Sequence, residues 1–407
     1  MVFLVFLTFF IISFITNIIG PLIPDIINDF ELSLTLVALL PFSFFIAYGI
    51  ISIPSGMLIK KIGEKLLMII AFGLASFGSL MFASFPNYSF AVISLFLIGC
   101  GMAMLQVVIN PLLRVAGGEE NFAFNATTAQ LIFGLASFFS PMAYSYFAIN
   151  LNQPNMSSSW FLNIFNSITP NHLPWISLYW IFAIISLFMI ILIALLNFPK
   201  VQLKQDEKIG PLKTHVLLLK NPIVIIYFFG IFTYVGLEQG VANWISKFLE
   251  IYHAYDPQII GAKTISWFWG LMTAGGILGV ILLKIIDSKV VLKVFTGFTM
   301  ISLLLALFMP GPIALIAFPA VGFFSAVMYP IIFSLALNSL SEHHGTFSGI
   351  LVTGIFGGAI VPLIVGVLGD YFGLRNGMLF LFIPLSFILF IGFWAKPIIS
   401  NKTVLNN

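Results

Sequence analysis

Charged residues are scarce in this chain. Only 8% of its 407 residues are charged and 60% are hydrophobic, with a mean hydropathy of +1.11. In a soluble protein about a quarter of the residues are charged, so this chain has too little polar surface to face water. A bilayer core about 30 Å thick needs roughly 20 apolar residues per spanning helix. The composition therefore excludes a soluble globular protein and predicts an integral membrane protein surrounded by the lipid bilayer.

Cysteine, excess charge of one sign and metal-ligand clusters are also lacking. Cys100 is the only cysteine, so no intrachain disulfide can form. The net charge of +3 is too small to indicate a nucleic-acid partner. The five histidines are scattered through loops and helix ends, no cluster has metal-site spacing, and no phosphate-binding loop occurs. The sequence thus predicts neither an enzyme nor a resident cofactor.

Apolar runs fill most of the chain and are too long for barrel strands, which predicts membrane-spanning helices. The first run lacks a basic start and a cleavage site, so it is interpreted as a membrane span and not as a signal peptide. The runs cover about 2–24, 34–58, 66–85, 89–113, 123–148, 175–197, 222–246, 264–286, 290–309, 311–337, 347–369 and 376–395. The fold class predicted is all-α integral membrane, with twelve transmembrane helices.

Basic residues are distributed unevenly between the two sets of loops. Of the 17 lysines and arginines, 14 lie on one side, around 60–65, 114, 200–220, 284–293 and 396–402. The remaining three, Lys247, Lys263 and Arg375, lie on the other side. The positive-inside rule then places both termini in the cytoplasm of a plasma membrane, here a bacterial inner membrane.

A polar stretch at 198–221 divides the chain into two halves that resemble each other weakly. Ile132-Phe133-Gly134 precedes Pro141 in the fifth run, and Ile355-Phe356-Gly357 precedes Pro362 in the eleventh. Such parallel repeats of six helices are typical of the major facilitator architecture, whose solute site lies between the halves. The predicted organisation is an N-terminal half at 1–197, a cytoplasmic linker at 198–221, and a C-terminal half with a short tail at 222–407. A single chain with both halves needs no partner to form its pathway, so a monomer is expected.

One carboxylate lies far from any predicted helix end. Glu238 is near the middle of the seventh run, whereas the other acids fall at or near ends or loops. A charge at the centre of a spanning helix costs about 2.5–3.5 kcal/mol, so Glu238 should face the interior and bind a proton, a cation or a hydroxyl group. Tyr234 lies one turn earlier and can donate to it. A structural carboxylate between helices is the alternative.

Uncharged amides are the other polar groups within the predicted spans. Gln106 and Asn110 share a face of the fourth run, Gln130 lies in the fifth and Asn243 in the seventh. Amides combine donors and acceptors without net charge, which suits a ligand made of hydroxyl groups. No lysine or arginine lies mid-helix, which disfavours an anionic substrate. The alternative is that the amides only join helices.

Trp267 in the eighth run, with Trp269 beside it, could stack on a sugar ring. Membrane tryptophans also anchor helices at the interface, so both roles stay open.

Five segments in this order resemble the fucose–proton symporter family of the major facilitator superfamily, which includes glucose/galactose permeases. They are GMAMLQVVINPLLRVAGG (101–118), TTAQLIFG (127–134), YVGLEQGVANWISKFL (234–249), MYPIIFSLALNSL (328–340) and GTFSGILVTGIFGGAIVPLIVGVLGDYFG (345–373). The resemblance implies that polar solute- and ion-handling positions fall on Gln106, Asn110, Gln130, Glu238 and Asn243.

The chain also departs from the family's pattern. The resemblance implies acidic residues where Gln106 and Gly20 stand, with Asn17 a turn before Gly20, and a Gly-Arg pair where Gly275-Gly276 stand. Glu238 and Asn17 are therefore the candidates for coupling to H⁺ or Na⁺. The expected function is secondary active transport of a sugar, a hexose or a related polyol-like solute, by alternating access. A sugar uniporter, an exporter of an amphipathic compound, and a membrane receptor or membrane-embedded enzyme are the alternatives.

Single-cysteine labelling tests the predicted topology. A cysteine at position 206, in the linker, should react only with reagent on the cytoplasmic side, and one at position 157 only with external reagent. Labelling of both positions from one side would contradict the orientation and the division into two halves.

Overall fold

The structure is a computed structural model, and it describes residues 1–118, 120–151, 160–198, 210 and 212–398. Within these residues the chain is helical and contains no β-strand. Eleven helical stretches are long and apolar enough to cross a membrane, by length and composition.

The twelve spanning helices are numbered α1–α12 in chain order. The N-terminal six are α1 (Val2–Thr16 and Ile19–Phe30), α2 (34–62), α3 (64–84), α4 (Tyr88–Gly117), α5 (Phe122–Asn150) and α6 (Ser177–Leu195). The C-terminal six are α7 (Pro222–Ala242 and Ile245–His253), α8 (Pro257–Gly261 and Ala262–Ile285), α9 (Ser288–Phe308), α10 (Gly311–Ser325 and Met328–Leu337), α11 (His344–Thr353, Gly354–Phe356 and Gly357–Phe372) and α12 (Leu374–Leu379 and Phe382–Trp394).

One of the eleven stretches contains two spans. Leu34–Ser84 is 51 residues long, which corresponds to about 76 Å of helix against a bilayer core of about 30 Å. Gly63 interrupts it with φ 78° and ψ 167°, backbone angles that glycine adopts without a steric penalty. The chain turns back there, so α2 and α3 are separate spans and the predicted number of twelve is confirmed.

Five of the predicted helices are broken and not continuous. The breaks occur at residues 17–18 in α1, 243–244 in α7, 326–327 in α10, 354–356 in α11 and 380–381 in α12. Irregular backbone at membrane depth is tolerated only where protein or a cavity surrounds it, because lipid offers no hydrogen-bond partner. The breaks therefore identify helix faces that do not contact lipid.

Glycines bring helix backbones into direct contact. A Cβ at Gly99 would come within 2.2 Å of the Phe44 carbonyl oxygen, joining α4 to α2. A Cβ at Gly357 would come within 1.9 Å of the Phe232 carbonyl oxygen, joining α11 to α7. Without a hydrophobic driving force in lipid, such close approach is a main source of helix association.

A short amphipathic helix lies between α5 and α6, in a stretch where the sequence analysis predicted none. Trp160–Ile168 buries Leu162 and Phe165 and exposes Trp160, Phe161, Ile164 and Ile168. An apolar exposed face on a short helix is typical of a segment at the membrane interface.

The boundaries 1–197, 198–221 and 222–407 stay a prediction. Residues 199–209 and 211 of the linker lie outside the described residues, as do positions 157 and 206 chosen for labelling.

The glycine contacts predict a position-specific effect on stability. Gly357→Ala should lower the thermal unfolding temperature, because overpacking a close contact costs about 1–3 kcal/mol. Gly349→Ala is the matched control in the same helix, since a Cβ there meets no atom within 4 Å. Unfolding in detergent, followed by intrinsic fluorescence, measures both. Equal unfolding temperatures would contradict the packing of α7 against α11.

Candidate functional site

The breaks in α1 and α7 face each other across the two halves. A Cβ at Gly20, just after the break in α1, would come within 2.6 Å of the Ala242 carbonyl oxygen and 3.2 Å of the Asn243 Cα. Asn17 ends the first segment of α1, and Asn243 ends the first segment of α7. The two halves thus contribute equivalent helices, each broken at an asparagine, to one region of the interior.

Asn17 is buried in a polar cluster that joins α1 to α5. Its Nδ2 donates to the Ser137 hydroxyl at 2.8 Å, and the Ser13 and Ser137 hydroxyls are 2.6 Å apart. The Ser13 hydroxyl also lies 2.6 Å from the Phe133 carbonyl oxygen. The Asn17 Oδ1 is buried without a hydrogen-bond partner in the described part of the chain. An unpaired buried acceptor costs about 1–3 kcal/mol, so a donor from a bound solute would stabilise it.

Asn243 carries the complementary feature on α7. Its side chain is 2% exposed, and its Nδ2 has no partner among the described residues. Gly236 and Gly240, which could have loosened this helix, instead pack against Val361 and Leu381, and α7 is regular through Ala242. The irregular stretch of α7 therefore lies at residues 243–244 and not at the two glycines.

Glu238 is surrounded by polar groups but is not fully enclosed. Its side chain is partly exposed, and Gln239 Nε2 lies 3.4 Å from its Oε1. Tyr234, one turn earlier, is positioned to donate to the carboxylate, as the sequence predicted. Tyr329, next to the break in α10, lies within electrostatic range of Glu238 and has its ring 5.7 Å from that of Tyr234. The carboxylate can therefore exchange a proton or bind a cation from the accessible side.

Of the two amides predicted in α4, the structure describes the side chain of one, Gln106. Gln106 is partly exposed, and helical periodicity puts it on the face of Gly99, which contacts α2. Asn110 lies within α4, but its side chain lies outside the described residues.

Gln130 lies where the two halves separate. Along the same face of α5, Phe138 contacts Gly270 and Gly134 contacts Thr273 of α8. One turn before Gly134, Gln130 is exposed, and a Cβ at Gly276 of α8 would meet no atom within 4 Å. The contact between the halves therefore opens toward the end at which α5 begins.

The two tryptophans of α8 have different surroundings. Trp267 is 46% exposed and shares a helix face with the exposed residues Lys263, Ala274 and Ile281. Its ring lies 5.6 Å from that of Phe138 on α5, so Trp267 borders the contact between the halves. Trp269 is 3% exposed, and its Nε1 is a buried donor with no partner in the described chain. Trp267 therefore stays a candidate for solute contact, and Trp269 adds a buried donor near the same contact between the halves.

The opposite end, at the α1–α2 connection, is closed. Asp370 of α11 accepts from the backbone N–H groups of Leu34 (2.9 Å) and Thr35 (2.8 Å) in the first turn of α2. Asp25 of α1 accepts from Tyr144 of α5 at 2.7 Å and from Gln258 of α8 at 3.2 Å. Both carboxylates thus join the N-terminal half to the C-terminal half.

Asp25 was treated as an acid near a helix end, and that interpretation was wrong. α1 continues to Phe30, so Asp25 lies within a helix and is only 8% exposed, more buried than Glu238. The apolar run alone placed the end at residue 24, because the sequence does not show that α5 and α8 cover Asp25.

The polar side chains described above are mostly neutral hydrogen-bonding groups, together with the carboxylic acids Glu238 and Asp25. The breaks that carry Asn17 and Asn243 meet at Gly20 and Ala242. No hydrogen bond within the described residues links Gln106, Gln130 or Trp267 to either asparagine. No lysine or arginine of the described chain is fully buried, and its histidines, cysteine and acids form no group of three that could hold a metal.

Comparisons with known proteins agree with this architecture. Residues 5–362 match the Major Facilitator Superfamily. A glucose/galactose transporter of Brucella abortus is 31% identical over 395 residues, covering 95% of this chain and 92% of that protein. The L-fucose–proton symporter of Escherichia coli is 26% identical over 390 residues, covering 90% of this chain and 86% of that protein.

Its fold is also that of a solved transporter. A crystal structure of the E. coli fucose:proton symporter superposes with a TM-score of 0.69 at 24% identity, covering 97% of this chain and 98% of that one. The twelve-helix fold class predicted from the sequence is therefore confirmed. The match over most of the chain and the shared fold show that this integral membrane protein belongs to the major facilitator superfamily of transporters.

Proposed function

We propose that this protein is a secondary active transporter that carries a sugar across the membrane by alternating access. The observation that carries the proposal is the meeting of two broken helices, α1 and α7, with a buried, partly unpaired asparagine at each break. Discontinuous helices at the interface between repeats form the solute sites of many secondary transporters. Asn17 Oδ1 offers an acceptor and Asn243 Nδ2 a donor, the pair that one hydroxyl group can satisfy.

The polar groups favour a neutral polyhydroxyl solute. Asn17, Asn243 and the Nε1 of Trp269 are uncharged, and no fully buried lysine or arginine in the described chain could pair with an anionic solute. Gln106, Asn110 and Gln130 extend the proposed site toward the open end. The names of the relatives, glucose/galactose transporter and L-fucose–proton symporter, support a hexose or a related sugar.

Coupling to an ion is assigned to Glu238. It is the carboxylate that is accessible near the break in α7, so its protonation or cation binding can be linked to solute binding. The relative that is an L-fucose–proton symporter supports H⁺, and Na⁺ is the alternative ion. A uniporter is the outcome if neither gradient drives accumulation.

The proposed setting is a bacterial inner membrane with both termini in the cytoplasm, as the distribution of basic residues predicts. In that orientation the closed end at Asp25 and Asp370 is external, and the opening near Gln130 is cytoplasmic. Residues 1–197 and 222–395 would rock against each other about the site. The protein is expected to work as a monomer, because one chain supplies both halves.

Uptake by purified protein in liposomes tests the function directly. Labelled glucose, galactose, fucose and xylose are offered in turn, with an imposed proton gradient, an imposed sodium gradient or neither. We expect saturable accumulation of at least one sugar that collapses when the driving gradient is removed. Efflux of amphipathic dyes without sugar uptake would instead identify an exporter.

The role of Glu238 is tested by Glu238→Gln. The variant should fold, because a neutral amide is cheaper to bury than a carboxylate. Its gradient-driven accumulation ratio should fall by at least about tenfold, which corresponds to about 1.4 kcal/mol of solute gradient. Sugar exchange should survive, because the hydrogen-bonding geometry is kept. Glu342→Gln is the control, since Glu342 is 75% exposed in the turn between α10 and α11. Normal accumulation by Glu238→Gln would make Glu238 a structural residue.

Sugar recognition at the facing breaks is tested by Asn243→Ala. Each lost hydrogen bond is worth about 0.5–1.5 kcal/mol, so affinity should fall by up to about tenfold per bond. Tryptophan fluorescence or calorimetry measures binding without transport. Asn376→Ala, which removes an exposed amide bonded to the Phe372 carbonyl, should bind as the wild type does. Unchanged affinity of Asn243→Ala would exclude the asparagine from the site.

A further inference from the structure

Asp25 is a buried acid that the proposed sugar site does not use. It lies in the second segment of α1, and its side chain is 8% exposed. Its Oδ2 accepts from the Tyr144 hydroxyl at 2.7 Å, and Gln258 Nε2 lies 3.2 Å from Oδ1 and 3.3 Å from Oδ2. Tyr144 belongs to the same half as Asp25, whereas Gln258 belongs to the other half. This carboxylate therefore bridges the halves.

The groups around Asp25 provide donors but no compensating cation. Asp29 on its own helix and Glu250 on α7 act on it as like charges. Asp256, which caps the start of α8 by accepting from the Ile259 N–H, adds to the same acidic region through Tyr144. Among the described residues no lysine, arginine or histidine forms an ion pair with Asp25.

Two lysines on the C-terminal helices that pack near Asp25 do not pair with it. Lys247 is bound to Glu250 at 2.8 Å. Lys263, on α8 after Gln258, lies on the exposed face of that helix. The charge of Asp25 is therefore balanced only by the hydrogen bonds of Tyr144 and Gln258.

We infer that Asp25 is a second coupling residue, which binds a proton from the outside and thereby releases the closed end of the transporter. The ionised carboxylate accepts both hydrogen bonds and holds α1 and α5 against α8. Hydrogen bonds to a charged acceptor are roughly twice as strong as those to a neutral one. When a proton from solvent adds to a carboxylate oxygen, the group loses its charge, and the Tyr144 hydroxyl can turn to accept from the new O–H. The Gln258 amide then donates to a neutral acceptor, so the contact with Gln258 weakens and the halves separate.

The sign of the pH effect follows from this geometry. At high pH the ionised form dominates and the end stays closed, and as the pH falls the protonated form accumulates and the end opens. Asp25→Asn keeps the size of the side chain but cannot ionise, so it should favour the open end at every pH. The role of this opening in sugar coupling rests on the proposed function, whereas the opening itself does not.

Distance measurements between the two halves test the inference without any sugar. Cys100 is first replaced by alanine, and spin labels are placed on cysteines at the exposed positions Phe85 and Ile313, which lie at the closed end of α3 and α10 and away from the Asp25 cluster. In the parent protein, lowering the pH from 8 to 5 should move the population toward longer distances by about tenfold in the closed-to-open ratio. Asp25→Asn should show the longer distances at both pH values.

Asp29→Asn is the matched control, because Asp29 lies one turn on and bonds the Trp175 indole at 2.6 Å within the same half. It should still open as the pH falls, although at a somewhat lower pH than the parent, because it removes a like charge beside Asp25 but not the bridge between the halves. Gln258→Leu removes the bridge from the other half while leaving Asp25 in place, and it should also favour the open end at high pH, so the test does not depend on Asp25→Asn folding. Distances that do not change with pH in the parent, or that change equally in Asp25→Asn, would overturn the inference. These readouts stand even if no sugar accumulates.

Discussion

The structure depends on one constraint, the inability of lipid to form hydrogen bonds. Every backbone break and every buried polar side chain must therefore be satisfied within the protein or by a solute. In this chain the breaks at residues 17–18 and 243–244 lie where the halves meet. Backbone groups left unpaired at these breaks would cost free energy in lipid, so the breaks belong in an interior that supplies hydrogen-bond partners.

The same constraint gives the two acids different tasks. Glu238 is partly exposed beside a helix break, where its charge can be matched by an arriving ion. Asp25 accepts hydrogen bonds from two donors on opposite halves. In the proposed cycle its charge stabilises a contact that forms and breaks in each turnover. The amides at the breaks carry no charge, so they can bind a sugar without competing for the coupling ion.

The sequence predicted the twelve helices because a run of apolar residues carries that signal directly. It also predicted Tyr234 beside Glu238, since positions four apart share a face of a helix. It could not predict the break at Asn243, because the contact of Ala242 and Asn243 with α1 is visible only in the structure. Asp25 was missed for a related reason: a polar residue at the end of an apolar run looks solvated until a neighbouring helix is known to cover it. The amphipathic helix Trp160–Ile168 did carry a signal, in its apolar residues at helical spacing, that the polar surroundings obscured.

The contact between the break in α1 and the break in α7 limits how the halves can move in the proposed cycle. Gly20 lets the α1 backbone lie against Ala242 and Asn243, so the two breaks are in direct contact. A solute hydroxyl bound between Asn17 and Asn243 would join the halves at this point, and a rigid-body rotation about it changes the distances there least. Contacts farther away, at Asp25 and Asp370 on one end and near Gln130 and Gly276 on the other, must then change most. In the proposed cycle the solute would bind near the pivot of the halves, and the charge proposed to control closure would lie where their displacement is larger.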